Sequence, residues 1–328
     1  MTFRHNFATI ASHMLSWHFL GSAVSAFLFL VGAVVSVFKL ANLLGWANAD
    51  YHIDFLRPVW AATALILSAI LYAGVRNWPR SRARCVVPNV ETFVEVEIAD
   101  LFSGKGAYVI PMTTSFDCDL DTEVILPESV LGTLITRYFK DWRTLKAAID
   151  TAIARRGDIT SEGNSDWGDP IYPIGTVLRI DHEKKFPWWN HKNRFFLLCS
   201  SRRNASGQAR SEINEVLEAV ACLFTFLKEQ GGNTGPLRMP VIGTGHGRIG
   251  FRIDEVVREL ALQFLASCAD TRYTESLTIV VYPERNRKHP VDMEMMQAFL
   301  SEHCSFGPIP RATARTEDVE RPPVQMVD

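Results

Sequence analysis

Met239-Pro-Val-Ile-Gly-Thr-Gly-His-Gly-Arg-Ile-Gly250 sets four glycines within eight residues at the end of a short apolar run, residues 237–242. Past Phe251 the pattern changes, and Ile253, Val256, Val257, Leu260 and Phe264 recur at helical spacing. The stretch therefore predicts a strand, a glycine loop and a helix. Glycines let a backbone come close to an anion, and the helix start offers it free N–H groups and the positive end of a dipole. The same order also fits a tight strand-to-helix turn with no ligand. Four glycines exceed what a turn needs, since each costs roughly 0.5–1 kcal/mol of chain entropy.

Upstream of the loop, residues 211–229 predict an amphipathic helix with Ile213, Val216, Leu217, Val220, Phe224 and Leu227 on one face. Gly231 and Gly232 are placed to cap its end. Downstream, 277–282 reads as a fully apolar strand and 291–304 as a last helix, before a disordered tail from 305 rich in Pro, Arg and Glu. Further back, 93–98 alternates Val and Ile with Glu as a half-exposed strand does, and 107–111 is a short apolar strand. Helices are expected over 128–140, opened by Pro127 and Ser129, and over 142–155; a polar loop spans 157–173. Strands at 176–180 and 195–199 bracket a basic and aromatic loop, 184–191. Strands alternating with helices argue for an α/β three-layer sandwich with a mixed sheet over residues 86–304.

The first 75 residues of this 328-residue chain are far more apolar than the rest. Residues 19–38 and 58–75 form two uncharged runs, each near the length that crosses a hydrocarbon core of about 30 Å. Trp17, Trp46, Trp60 and Tyr72 stand near their ends, where an aromatic belt lies. Arg76, Arg80, Arg82 and Arg84 come after the second run, and the positive-inside rule places that cluster in the cytoplasm. Residues 1–84 thus predict a two-helix transmembrane hairpin with a basic cytoplasmic linker. Neither run carries an ionisable residue, so a pore would need several copies. The net charge of −2 gives no sign of nucleic-acid binding. Six cysteines lie scattered without C-x-x-C spacing, which argues against a zinc site or a disulfide framework and for reduced thiols.

Gly245-x-Gly247-x-x-Gly250 matches a dinucleotide fingerprint in letters only, because it lies late in the domain and lacks the acidic residue about 20 positions on. No G-x-x-x-x-G-K-[ST] run exists, which excludes a P-loop hydrolase. Val96-Glu-Ile-Ala-Asp-Leu-Phe102, then Ala107-Tyr-Val-Ile-Pro-Met-Thr-Thr-Ser-Phe-Asp117, then the late glycine loop is an order that resembles the macrodomain family. That resemblance implies an ADP-ribose site. Asp100 and Leu101 would stand where the family holds adenine, with Ala99 in place of its glycine. Thr114, Ser115, Phe116 and Asp117 would border the distal ribose, with Ser129 and Gly132 at the start of the next helix. Gly243, Thr244, Gly245, His246, Gly247, Arg248 and Gly250 would cradle the pyrophosphate. A literal Gly157-Asp-Ile-Thr160 has no strand before it and is set aside.

The family's hydrolases carry an Asn-Ala-Ala-Asn-like run where this chain has Thr113-Thr-Ser-Phe-Asp117, which favours recognition without turnover. Two membrane runs before such a domain resemble the transmembrane-macrodomain effectors of Thoeris anti-phage defence. That architecture implies a histidine–ADP-ribose-like signal from a TIR-domain enzyme, a homo-oligomer and disruption of the bacterial inner membrane. A membrane-tethered ADP-ribosyl hydrolase and a passive ADP-ribose-binding module remain the alternatives.

Overall fold

A computed structural model describes residues 80–88, 90–121, 125–165, 168–186, 189–204, 209–229, 235–243, 251–268 and 271–305, with short pieces inside 24–32 and 63–72. The chain divides into two compact units, Met1–Arg80 and Ser81–Asp328. In the first unit, the described residues of both apolar runs are helical. Val24, Leu28, Phe29, Ile66, Leu67 and Leu71 on them are 47–76% exposed. Among the described residues no helix is long and apolar enough to cross a membrane. Most of 19–38 and 58–75, and the tail from 306, lie outside those residues.

The second unit is built on an eight-stranded sheet. Its strands are β1 (Arg82–Val87), β2 (Thr92–Ile98), β3 (Ala107–Thr113), β6 (Val177–Phe186), β7 (Trp189–Arg203), β8 (Ala209–Arg210), β9 (Pro236–Pro240) and β10 (Ser276–Val281). A separate two-stranded ribbon pairs β4 (Gly163–Asn164) with β5 (Pro170–Ile171) inside the expected polar loop. The sheet order is β1-β2-β10-β9-β3-β7-β6, with β8 on β7. β2, β10, β9, β3 and β7 run parallel, and β1 and β6 close the two sides antiparallel.

Helices cover both faces. On one, α3 (Ile213–Glu229), α4 (Ile253–Ser267) and α6 (Met293–Ser305) press Val220, Phe224, Val257, Leu260, Phe264 and Leu300 onto Val94, Val96, Val109 and Ile279. On the other, α1 (Val130–Leu134) and α2 (Trp142–Arg155) bury Leu134, Leu145 and Ile149 against Ile110, Phe195 and Leu197. β10, Ser-Leu-Thr-Ile-Val-Val, is buried along its whole length, as a central parallel strand must be. This is the expected three-layer mixed sandwich. A short helix, α5 (Pro283–Lys288), comes after β10.

Three local expectations change. The helix expected over 128–140 stops at Leu134 and passes into a π-turn over Ile135–Phe139. There the Lys140 N–H reaches back to the Ile135 carbonyl, and Lys140 turns to φ 65° so that Asp141 can cap α2. The basic-aromatic stretch 184–191 is the far end of a hairpin, with Lys184 opposite His191 and Phe186 opposite Trp189. The third change is β1, where the expected basic linker gives way to a strand. Arg-Ala-Arg-Cys-Val-Val alternates, placing Ala83 and Val87 in the core while the Arg84 guanidinium lies 3.6 Å over the Phe93 ring.

Candidate functional site

Five parallel strands end on one edge of the sheet, and the residues just beyond each strand gather there. In open α/β sheets this carboxyl edge is where ligands sit. β2 delivers Asp100, β10 Tyr282, β9 Gly243, β3 the segment 114–117 and β7 Arg203.

Asp100 opens a short 3₁₀ turn, Leu101–Ser103. One carboxylate oxygen accepts from the Phe102 N–H at 3.1 Å, and the other pairs with Arg137 at 3.0 Å. Each oxygen keeps an acceptor site free, and the side chain is 45% exposed, so a ligand amino group can still reach it. Beneath the turn, Phe102 packs on Tyr108 and Tyr138 with ring centroids 5.3 and 5.5 Å away. Burial first, and then neighbouring Tyr138, pushes the Tyr108 phenol up to about 12. The turn thus rests on a rigid aromatic bed.

The segment after β3 is a tight turn, with the Phe116 N–H on the Thr113 carbonyl and φ 48° at Phe116. Thr114, Ser115 and Phe116 are all buried, and the Phe116 ring lies in the core against Tyr172. Only the backbone of Phe116 can meet a ligand. Asp117 accepts from the Asp119 N–H and is ion-paired with Arg203, the two side chains being 16% and 15% exposed. Arg203 keeps a buried Nε–H without a partner. Ser129 caps α1 by accepting from the Gly132 N–H at 3.0 Å. At Gly132 a β-carbon would fall 2.4 Å from the Leu126 carbonyl oxygen. Both positions therefore have structural tasks of their own.

The glycine loop is described only at its two ends. Gly243 takes φ 80°, the left-handed region open to glycine. Thr244, Gly245, His246, Gly247, Arg248 and Gly250 lie outside the described residues. At the far end α4 begins after Arg252, whose N–H donates to Glu255 at 3.1 Å, and whose guanidinium pairs with Asp254 at 3.0 Å.

Sequence reasoning passed over Tyr282. It is 49% exposed at the end of β10, and its phenol is pushed up by partial burial and then by Glu284, Asp100 and Glu128. β10 lies between β2 and β9, so this exposed ring stands between Asp100 and Gly243 on the edge, and a flat ligand can stack on such a ring. Its signal was there to read, an aromatic directly after a strand with no apolar residue beyond it. Among the described residues no His, Cys, Asp and Glu group could hold a metal. A cleft of about 460 Å³ lies elsewhere, beside α2 and β6, lined by Arg155, Arg156, Arg179 and Phe226. Two of its arginines are already tied, to Asp158 and Asp181. Asp158, from the Gly157-Asp-Ile-Thr160 run, is held by Arg156, which also donates to the Val177 carbonyl at 2.8 Å.

The family model for the macro domain of the Thoeris protein ThsA matches residues 94–282, more than half of the chain. The chain belongs to that family. The match runs from within β2 to Tyr282 and so takes in all five strand ends. Among solved structures, a mutant of the Oceanobacillus iheyensis macrodomain with ADPR is 12% identical at TM-score 0.42, covering 66% of this chain and 96% of its own. A second mutant of that macrodomain is 13% identical at TM-score 0.42, with 68% and 94% covered. A mutant tomato leucine aminopeptidase is 11% identical at TM-score 0.32, with 67% and 37% covered. No curated protein matches the chain. In this macro domain, the parallel strand ends set Asp100 and the 114–117 turn on the same edge as Gly243, which lies 126 positions beyond Asp117.

Proposed function

We propose that this protein is a Thoeris effector whose strand-edge site binds an ADP-ribose-derived signal, of the histidine–ADP-ribose kind, made by a TIR-domain enzyme. The observation that carries the reading is the gathering of Asp100, Tyr282, Gly243 and the 114–117 turn on one edge of the sheet. Asp100 accepts from the adenine amino group, Tyr282 stacks on the base, and the glycine loop cradles the pyrophosphate. Asp117 and Arg203 stand beside the distal ribose and whatever it carries. Both Asp117 oxygens already accept hydrogen bonds, which favours recognition over proton transfer.

In this reading the N-terminal helices sit in the bacterial inner membrane with the macro domain in the cytosol. The two uncharged runs, 19–38 and 58–75, support that, each being near the length that crosses a hydrocarbon core of about 30 Å. Ligand binding drives homo-oligomerisation, and the assembled helices disrupt the membrane and stop or kill the infected cell. A ligand shifts such an equilibrium only by binding the assembled state more tightly.

Calorimetric titration of the purified full chain with ADP-ribose and histidine–ADP-ribose tests the site. Binding is expected with at least one, abolished by Gly245→Glu. Tyr282→Ala should weaken it about 5- to 150-fold, the roughly 1–3 kcal/mol of an aromatic–base stack. Absence of heat with both ligands rejects the reading. Dye-filled vesicles test the membrane step, and a ligand-bound monomer that leaves them intact would reduce the protein to a binding module.

A further inference from the structure

One buried guanidinium joins the two sides of this edge. Arg238, on β9, is only 7% exposed in its side chain. Its Nε–H donates to the Leu101 carbonyl at 2.9 Å, and Nη2 pairs with the Glu97 carboxylate on β2 at 2.9 Å. A β-carbon at Gly104 would fall 2.3 Å from Nη1, so the backbone closes directly onto the group. Five residues after Arg238 the chain reaches Gly243. The Asp100–Leu101 turn and the strand that feeds the glycine loop are therefore held by one side chain.

Glu97 has a second partner. Its other oxygen pairs with Arg82 at 2.5 Å, directly opposite in the β1–β2 register, and Arg82 is 64% exposed. Three charges thus form a ladder from the site to the second residue of the unit Ser81–Asp328. Buried ionic groups are a poor source of stability compared with apolar packing, and their best-attested uses are to fix register or to switch. Here each rung joins a different strand or turn.

Resting on the reading of the strand edge as a ligand site, we infer that Arg238 is the positioning residue of that site, and that Glu97 and Arg82 carry its state to the start of β1. A ligand that draws in the Asp100–Leu101 turn moves the Leu101 carbonyl on Arg238. Arg238 then shifts its hold on Glu97, and Glu97 its hold on Arg82. The same path runs in reverse, so a change at Arg82 alters the turn.

Amide hydrogen exchange on the purified full chain tests this in two arms. In the first, without ligand, Arg82→Ala leaves the buried Arg238–Glu97 pair charge-balanced, so the fold survives. Exchange at Phe102 and Ser103 should rise about tenfold while α3 and β3 keep wild-type rates. Arg82→Lys, which keeps a cation opposite Glu97, should restore the turn. Unchanged exchange at the turn, or an equal rise throughout the domain, overturns the ladder. In the second arm, saturating ADP-ribose should slow exchange across residues 82–87 in the wild type and not in Arg82→Ala. Binding with no response in wild-type β1 overturns the transmission and leaves the binding reading standing. If ADP-ribose does not bind, the arm is run with histidine–ADP-ribose; binding of neither rejects the binding reading and the transmission with it, and the first arm alone decides whether the ladder exists.

Discussion

Gly132 leaves no space for a side chain, because the Leu126 carbonyl oxygen and Pro127 Cα would lie 2.4 and 2.7 Å from its β-carbon. Both obstacles are backbone and cannot rotate away. Gly132→Ala should destabilise the domain by about 1–3 kcal/mol, read as a lower urea midpoint at unchanged slope. A wild-type midpoint would mean that the loop before α1 yields freely. The thiols give a second test. Burial pushes Cys118 and Cys304 up to about 12 and Cys268 to about 11. They stay protonated at pH 8 in the native state, so iodoacetamide should label them far more slowly than in urea. In the unfolded chain they ionise near pH 8.5. Their contribution to stability is whole below that pH and drains away as pH climbs from about 9 towards 12. Rapid labelling of the native protein at pH 8 would contradict their burial. At this scale the sequence told little of Arg238 or Arg203. Their partners Glu97 and Asp117 lie 141 and 86 positions away, and a single chain carries no local trace of such pairings. Asp100 and Gly243 were singled out, the first by resemblance and the second by its glycine run, and both stand just past a strand.

Gln297 on α6 shows how one element guards another. Its amide accepts from the Arg84 N–H and donates to the Arg84 carbonyl, each at 2.9 Å. Those are the bonds a neighbouring strand would make, so α6 closes the outer edge of β1 against pairing with another chain. Gln297→Leu should lose about 1 kcal/mol and, in light scattering, should associate at concentrations where the wild type stays dispersed. A variant as stable and as dispersed as wild type would show that the amide does no guarding. Elements were read well wherever one periodicity dominates. α2, α3 and α4 were foreseen nearly to their ends because their apolar faces keep a 3.6-residue period. β1 was not, since only half of its short alternation is apolar and charge clustering offered a competing account. The hairpin end at 184–191 escaped for a related reason: Lys-Lys-Phe-Pro-Trp-Trp-Asn-His shows no alternation of apolar and polar residues to mark a strand.

For the whole molecule, the boundary falls at Arg80, and β1 belongs to the sheet. A chain of residues 81–328 should fold alone and unfold in one cooperative transition. A chain starting at 88 loses the buried Ala83 and Val87 and bares the β2 edge, so it should be markedly less stable or insoluble. Equal stability of the two would mean that β1 is dispensable. The three-layer architecture was legible in the alternating strand and helix patterns, whereas the strand order was not. Nothing in β2 announces that its parallel neighbour is the last strand of the sheet. That pairing sets a clock. β2 ends at Ile98 and β10 begins at Ser276, a gap of 276 − 98 = 178 positions. A ribosome adding roughly 5–20 residues per second needs about 10–35 s to cover it. In each round of synthesis, the first eighty residues therefore emerge well before the sheet can close and its ligand edge can exist.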